Sequence, residues 1–170
     1  LCQKGEADVY AFDVSKDALR IGHRRACGAT LFVASAYSMP VKTATVDTLM
    51  LFFSPFCREE ISRVLKPGGI FLMAIPGREH LWGLKSAIYE TPYKNAPHDT
   101  EISGFTLLDD IRLSGDLHLT ENRDITALFS MTPYYYKTGV DDQQKINNLN
   151  YLETQAEFEI RVYRKENSYA

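Results

Sequence analysis

The sequence predicts an α/β domain: an open, mostly parallel β-sheet with helices on both faces, finished by an antiparallel strand near the C-terminus. Three observations carry that expectation. Short apolar runs alternate with helical periods through the first half of the chain. The stretch Glu59 to Gly77 passes from a helical pattern through Lys66-Pro67-Gly68-Gly69 into the apolar run Ile70 to Ile75. Near the other end, Phe158, Ile160 and Val162 alternate with Glu159, Arg161 and Tyr163, the pattern of an antiparallel edge strand with one wetter face.

Each element has its own reason. Val9 to Phe12 is an apolar run closed by Asp13-Val14-Ser15, which reads as a buried strand with an acid at its carboxyl end. Ser15 can N-cap the helix that follows, and Asp17 sits in its first turn, where the helix dipole favours an anion. Lys16 to Ala26 carries Ala18, Gly22 and Ala26 at spacing four, with Gly28 suited to the left-handed turn beyond it. Strands follow at Thr30 to Ala34 and at Val46 to Phe53, and Ser54-Pro55-Phe56 breaks the second. Arg58 to Leu65 has the helical period, with Ile61, Val64 and Leu65 on one face. Pro67 then disfavours helical geometry at Lys66, and two glycines permit a tight reversal. Ile70 to Ile75 is apolar on both faces, as a central strand requires. Glu79 to Glu90 and Glu121 to Phe129 read as helices. Phe105 to Leu108 and Arg112-Leu113 are weaker strands. Thr91 to Ser103 has two prolines and no period, and reads as an ordered insertion.

Composition narrows the function classes. The 170 residues suit one domain, and a net charge of -3 gives no general attraction to nucleic acid, so any RNA contact must rest on a local patch. Cys2, Cys27 and Cys57 are too far apart for a zinc site. They read as reduced thiols of a cytoplasmic protein. No apolar run is long enough to span a membrane.

In an open parallel sheet, ligands sit outside the carboxyl ends of the strands. The residues there are Asp13, Ser35-Ala36, Ser54-Pro55-Phe56 and Pro76-Gly77. An acid such as Asp13 can accept hydrogen bonds from two ribose hydroxyls, and serves equally well as a solvated strand-end cap. Phe56 is either core or a stacking surface. Cys57 has no neighbouring base in sequence and is not read as a nucleophile.

The segments FDVSKDAL, VASAYSMP, EEISRVLKPGG and IPGREHLWGLKSAIYE, in this order, resemble a class I S-adenosylmethionine-dependent methyltransferase, whose Rossmann-like sheet is the α/β fold expected above. The later pieces PGREHLWGLKSAIYE, NAPHDTEISGFTL and MTPYYYK resemble the bacterial 23S rRNA guanine-N1 methyltransferases. The resemblance implies S-adenosyl-L-methionine as cofactor, bound by Asp13, Ser35, Ala36 and His80. It implies an acceptor pocket at Ser54, Pro55 and Phe56, and a 23S rRNA hairpin as partner, contacted by Arg78, Lys85 and Lys94. A homodimer is compatible with it, a membrane is not. Residues 8–90 would be the cofactor-binding half and 91–170 the substrate-side half. Guanine N1 must lose a proton, which His98 or His80 would take, with His98 favoured. The zinc ribbon, the first strand and the Gly-rich loop of that family have no counterpart here. The expectation is a truncated chain that lacks the sheet's first strand and binds cofactor poorly. Two other readings stand beside it: a small-molecule methyltransferase of the same superfamily, and a non-catalytic partner-binding remnant. A nicotinamide dehydrogenase would share Asp13 but lacks its glycine fingerprint.

Overall fold

The computed structural model describes residues 7–25 and 28–167. Cys2, Ala26 and Cys27 lie outside them. The elements are β1 (Tyr10–Asp13), α1 (Lys16–His23), β2 (Thr30–Val33), β3 (Val46–Phe52), α2 (Arg58–Val64), β4 (Leu65–Pro76), α3 (Trp82–Ile88), β5 (Phe105–Leu119), α4 (Asn122–Ser130), α5 (Tyr134–Lys137), α6 (Val140–Asn147) and β6 (Leu152–Lys165). The hydrogen-bonded strand orders are β1–β2 and β3–β4–β6–β5. The fold is α/β with a mixed sheet, mostly parallel with an antiparallel strand. Strands β1 and β3 are not hydrogen-bonded neighbours. The chain divides into two compact units, Leu1–Phe71 with Arg164–Ala170, and Leu72–Tyr163.

In the first unit, β1 and β2 run parallel with Asp13 opposite Val33, so both strands end at the same level. Ser15 caps α1 as expected, its Oγ accepting from the Ala18 N–H at 3.1 Å. Helix α2 buries Ile61 and Val64. Its last carbonyls, which have no partner inside the helix, are all answered. The Lys165 ammonium donates to Ser62 O at 2.6 Å and Leu65 O at 2.9 Å. The N–H groups of Ala44 and Thr45 donate to Arg63 O and Val64 O.

The helix-to-strand junction departs from expectation. Strand β4 already begins at Leu65, so Lys66 to Gly69 belongs to the strand instead of forming a separate reversal. Pro67 forces extended geometry before it, and Gly68 supplies the kink with a φ of 74°. At Gly69 a Cβ would lie 2.9 Å from Lys66 O and 3.2 Å from Asp47 O, so a side chain there would force the backbone apart.

The second unit has its own core. Leu81, Leu84 and Ile88 of the α3 region pack with Ile125 and Phe129 of α4, Ile146 of α6 and Leu152 of β6. Helix α3 lies so close to β6 that a Cβ on Gly83 would come within 1.9 Å of Glu153 O. The two weak strand signals after Phe105 prove to be one strand, β5, and helix α6 had no clear signal in the sequence. The insertion between α3 and β5 has no regular structure but is fastened. Buried Arg161 donates to Asp99 O at 2.9 Å and His98 O at 3.3 Å, and the Tyr163 hydroxyl to Thr100 O at 3.1 Å.

Candidate active site

The first unit brings three of the expected site residues together. Asp13 ends β1, and its backbone carbonyl accepts from the Ala34 N–H at 3.2 Å, so Ser35 and Ala36 follow directly beside it. Its carboxylate is exposed, with Oδ1 accepting from the Ser15 N–H at 2.7 Å. Asp13 is therefore a turn cap in this structure, and its second oxygen retains acceptor capacity. Ser35 Oγ accepts from the Tyr37 N–H at 3.2 Å, which leaves its own proton as a donor. Ala36 and Met39 are buried beneath this loop.

The loop is held from outside. Glu60 Oε1 accepts from the Met39 N–H at 2.6 Å. Arg63 grips both oxygens of Glu60 at 2.7 Å and donates to Val41 O and Met39 O. The Arg63 hydrogen bonds hold the Glu60 carboxyl down to about 2, against the opposing effect of burial. Sequence reasoning missed this clamp because an (i, i+3) acid–base pair on a helix reads as surface charge.

Phe53, directly after β3, lies in the left-handed region, with a φ of 48°. A bulky residue there costs about 1–2 kcal/mol, strain of the kind that accumulates at functional sites. Phe52 and Phe53 are each 58% exposed and Phe56 is 41% exposed, which settles the alternative left open for Phe56: it is not core. Its ring lies 6.0 Å from that of Phe71, and Ser54 and Pro55 beside it are exposed. Three exposed aromatic residues thus occur at and just after the end of β3, and only Phe56 was singled out from the sequence.

The second unit holds the remaining candidates. His80 is half-buried, 4.9 Å from the Phe158 ring, and its Nδ1 accepts from the Glu157 N–H at 3.2 Å. Burial pushes its titration below the ordinary imidazole value. With Nδ1 occupied, the neutral ring carries its proton on Nε2 and offers a donor there. The expectation that His80 could act as a base does not fit that arrangement. His98 is exposed, on a backbone pinned by Arg161. Arg78 is also exposed, and its carbonyl accepts from the Asn95 N–H at 3.0 Å.

Lys85 contradicts its expected role in RNA contact. It is 1% exposed, and its ammonium donates to Asn95 Oδ1 at 2.6 Å and Tyr93 O at 3.0 Å. The helical period of α3 turns it inward with Leu84 and Ile88, so it cannot reach a solvent-borne phosphate. Lys94 pairs with Glu79 and lies 5.6 Å from the Trp82 ring centre. The Tyr134-Tyr135-Tyr136 run divides its work: Tyr134 packs near Lys85, while Tyr136 is 85% exposed. Asn95 and Glu157, which the sequence did not single out, emerge as the organisers of this region.

A methyltransferase-domain family model matches residues 1–73. This N-terminal part carries that family's sequence pattern. No curated protein matched the chain. Solved structures of similar fold include a protein from Bacillus halodurans C-125 described as a candidate methyltransferase, at 16% identity and a TM-score of 0.60, covering 94% of this chain and 84% of that one. The YcgJ protein of Bacillus subtilis aligns at 12% identity and a TM-score of 0.58, over 95% and 83% of the two chains. A protein described in echinomycin biosynthesis aligns at 13% identity and 0.55, over 96% and 69%. At these identities the likeness is one of fold. The family match over residues 1–73 implies S-adenosyl-L-methionine as methyl donor, and the solved structures add the Rossmann-like fold. The residues beside β1 and β2 fit that donor: an exposed carboxylate suits ribose hydroxyls, and a serine proton beside buried Ala36 suits an adenine edge.

Proposed function

We propose that this chain carries the catalytic domain of a methyltransferase that acts on N1 of a guanine in a 23S rRNA hairpin. The observation that supports an RNA base as acceptor is the exposed aromatic group Phe52, Phe53 and Phe56 at the tip of β3, since unstacked bases are commonly received on aromatic faces. The resemblance of the segments NAPHDTEISGFTL and MTPYYYK to the guanine-N1 enzymes points the same way. Asp13 and Ser35 would hold the adenosyl part of the cofactor, with Ala36 as apolar floor. The bound sulfonium supplies an activated methyl group, so the protein's task is alignment and proton removal. Phe56 would stack on the base. His98, on its pinned backbone, would accept the N1 proton, and His80 Nε2–H would donate a hydrogen bond at the cofactor site.

A second reading, a small-molecule acceptor, has an observation in its favour. Of the three cations expected to meet RNA, Lys85 is buried and Lys94 is paired, which leaves Arg78. The neighbour from echinomycin biosynthesis shows a similar fold in small-molecule chemistry. Transfer of labelled methyl from S-adenosyl-L-methionine to a 23S rRNA hairpin, against a panel of small nucleophiles, separates the two. Methylation at N1 blocks base pairing, so primer extension on the treated RNA should stop at one guanine. Label in small acceptors with no stop on RNA would overturn the rRNA reading.

A further inference from the structure

We propose that Lys85 is a positioning residue: from inside the second unit, its ammonium holds the Gly77–His80 turn in place and with it the His80 imidazole. The inference rests on the reading of His80 as a cofactor-site donor. Lys85 is a fully buried cation with no carboxylate partner among the described residues. A buried charge is retained only where other groups stabilise it. Here two oxygens and two rings do so. Nζ donates to Tyr93 O and Asn95 Oδ1, and lies 4.7 Å from the centre of the Tyr93 ring and 5.4 Å from that of Tyr134.

The bonds lead outward from that charge to the imidazole. Asn95, with its Oδ1 fixed by Lys85, donates from Nδ2 to Gly77 O at 2.7 Å and from its backbone N–H to Arg78 O at 3.0 Å. The Gly77 N–H donates to Glu157 O at 2.9 Å, and the Glu79 N–H to Glu157 Oε2 at 2.6 Å. The Glu157 N–H closes the circuit on His80 Nδ1. Gly77 is thus held on both sides, and its Cβ position is filled, since a methyl there would lie 2.6 Å from Glu157 Cγ. The next turn carries Leu81 in the left-handed region, at a φ of 54°. Such a turn persists only where its surroundings over-determine it. Without the Lys85 charge, the Asn95 Oδ1 loses its charged donor, and the Nδ2–H bond to Gly77 O, no longer braced from the other end of the amide, loosens.

The test is nuclear magnetic resonance on Lys85→Met and Asn95→Ala in the whole chain. The wild type should show a single neutral His80 tautomer protonated on Nε2. Both variants should show tautomer averaging, with amide exchange at Glu157 faster by about tenfold or more, the scale of a lost hydrogen bond to a charged group. Removing the Lys85 charge alone shifts a titration midpoint electrostatically, so the tautomer and the exchange rate are the informative readouts. A folded Lys85→Met protein with the His80 tautomer and Glu157 exchange unchanged overturns the proposal. If Lys85→Met does not fold, Asn95→Ala reads the same link with the lysine intact, and an unchanged His80 there overturns it equally. These readouts need no methyl transfer. A wild-type chain that transfers no methyl to RNA, with His80 moved in the variants, would sink the function proposed above and leave this inference standing.

Discussion

Gly83→Ala should be among the most damaging conservative substitutions in the chain. The added carbon would lie 1.9 Å from Glu153 O and 2.9 Å from Glu153 C. A methyl carbon and a carbonyl oxygen meet at about 3.3 Å, so α3 and β6 would have to separate by about 1.4 Å. Both obstructing atoms are backbone, and no side-chain rotation relieves them. That displacement moves Leu84 and Ile88, both fully buried, away from their partners in α4 and α6. Overpacking typically costs about 1–3 kcal/mol, and opening a core layer adds about 2 kcal/mol or more for each large side chain that loses its contacts. The expected loss is about 4 kcal/mol, a large share of a domain's whole stability. Gly115→Ala provides the contrast, since nothing lies within 4 Å of its Cβ position. In an exposed strand that change should be neutral or stabilise by about 0.5 kcal/mol, because alanine restricts the unfolded chain. Urea unfolding of both variants measures the difference. A Gly83→Ala protein within about 1 kcal/mol of wild type would refute the close approach of α3 to β6.

Other substitutions test the site. Glu60→Gln should flatten the acid limb of stability: a carboxyl held at about 2 stabilises the fold above its unfolded value of 4.5, and that contribution fades as pH falls from 4.5 towards 2. Thermal melts across that range check it, and parallel curves for variant and wild type would exclude the Glu60–Arg63 clamp. Asp13→Asn keeps an oxygen for the Ser15 N–H but loses the charge. It should leave the melting temperature unchanged while weakening S-adenosyl-L-methionine binding about tenfold, whereas equal binding by calorimetry would reduce Asp13 to a turn cap. Lys165→Met strips the cap from α2 and should cost about 1–2 kcal/mol, with no loss detected if water replaces the ammonium at Ser62 O and Leu65 O. His98→Ala should lower the methylation rate on RNA by about 100-fold with little change in cofactor affinity, and an unchanged rate removes His98 as the base.

The exposed face of the chain adds one constraint. Among the described residues, no helix is long and apolar enough to cross a membrane. Phe52, Phe53 and Phe56 are exposed at and just after the end of β3, and the stacking of a base proposed above would use such faces.

Local signals were readable wherever one residue's chemistry dictates its own geometry. Ser15 as a cap, the extended geometry imposed by Pro67 and the positive φ of Gly28 all follow from a side chain, or its absence, acting on neighbouring backbone. The alternation of apolar runs gave the parallel pair β1–β2, and hence the adjacency of Asp13 with Ser35 and Ala36. Residues whose roles come from distant partners were not readable. Lys85 looks like any helix-face cation until the fold buries it against Tyr93, Tyr134 and Asn95. Gly83 looks like a flaw in a helix until β6 occupies the space of its missing side chain. His80 was singled out only through the resemblance, and its proton position depends on the Glu157 N–H, which lies 77 residues away in the chain. Backbone preferences and periodicity act over a few residues and survive in the sequence. Burial, tautomer and close approach are set by whichever atoms the folded chain brings into contact, and only the tertiary structure decides those.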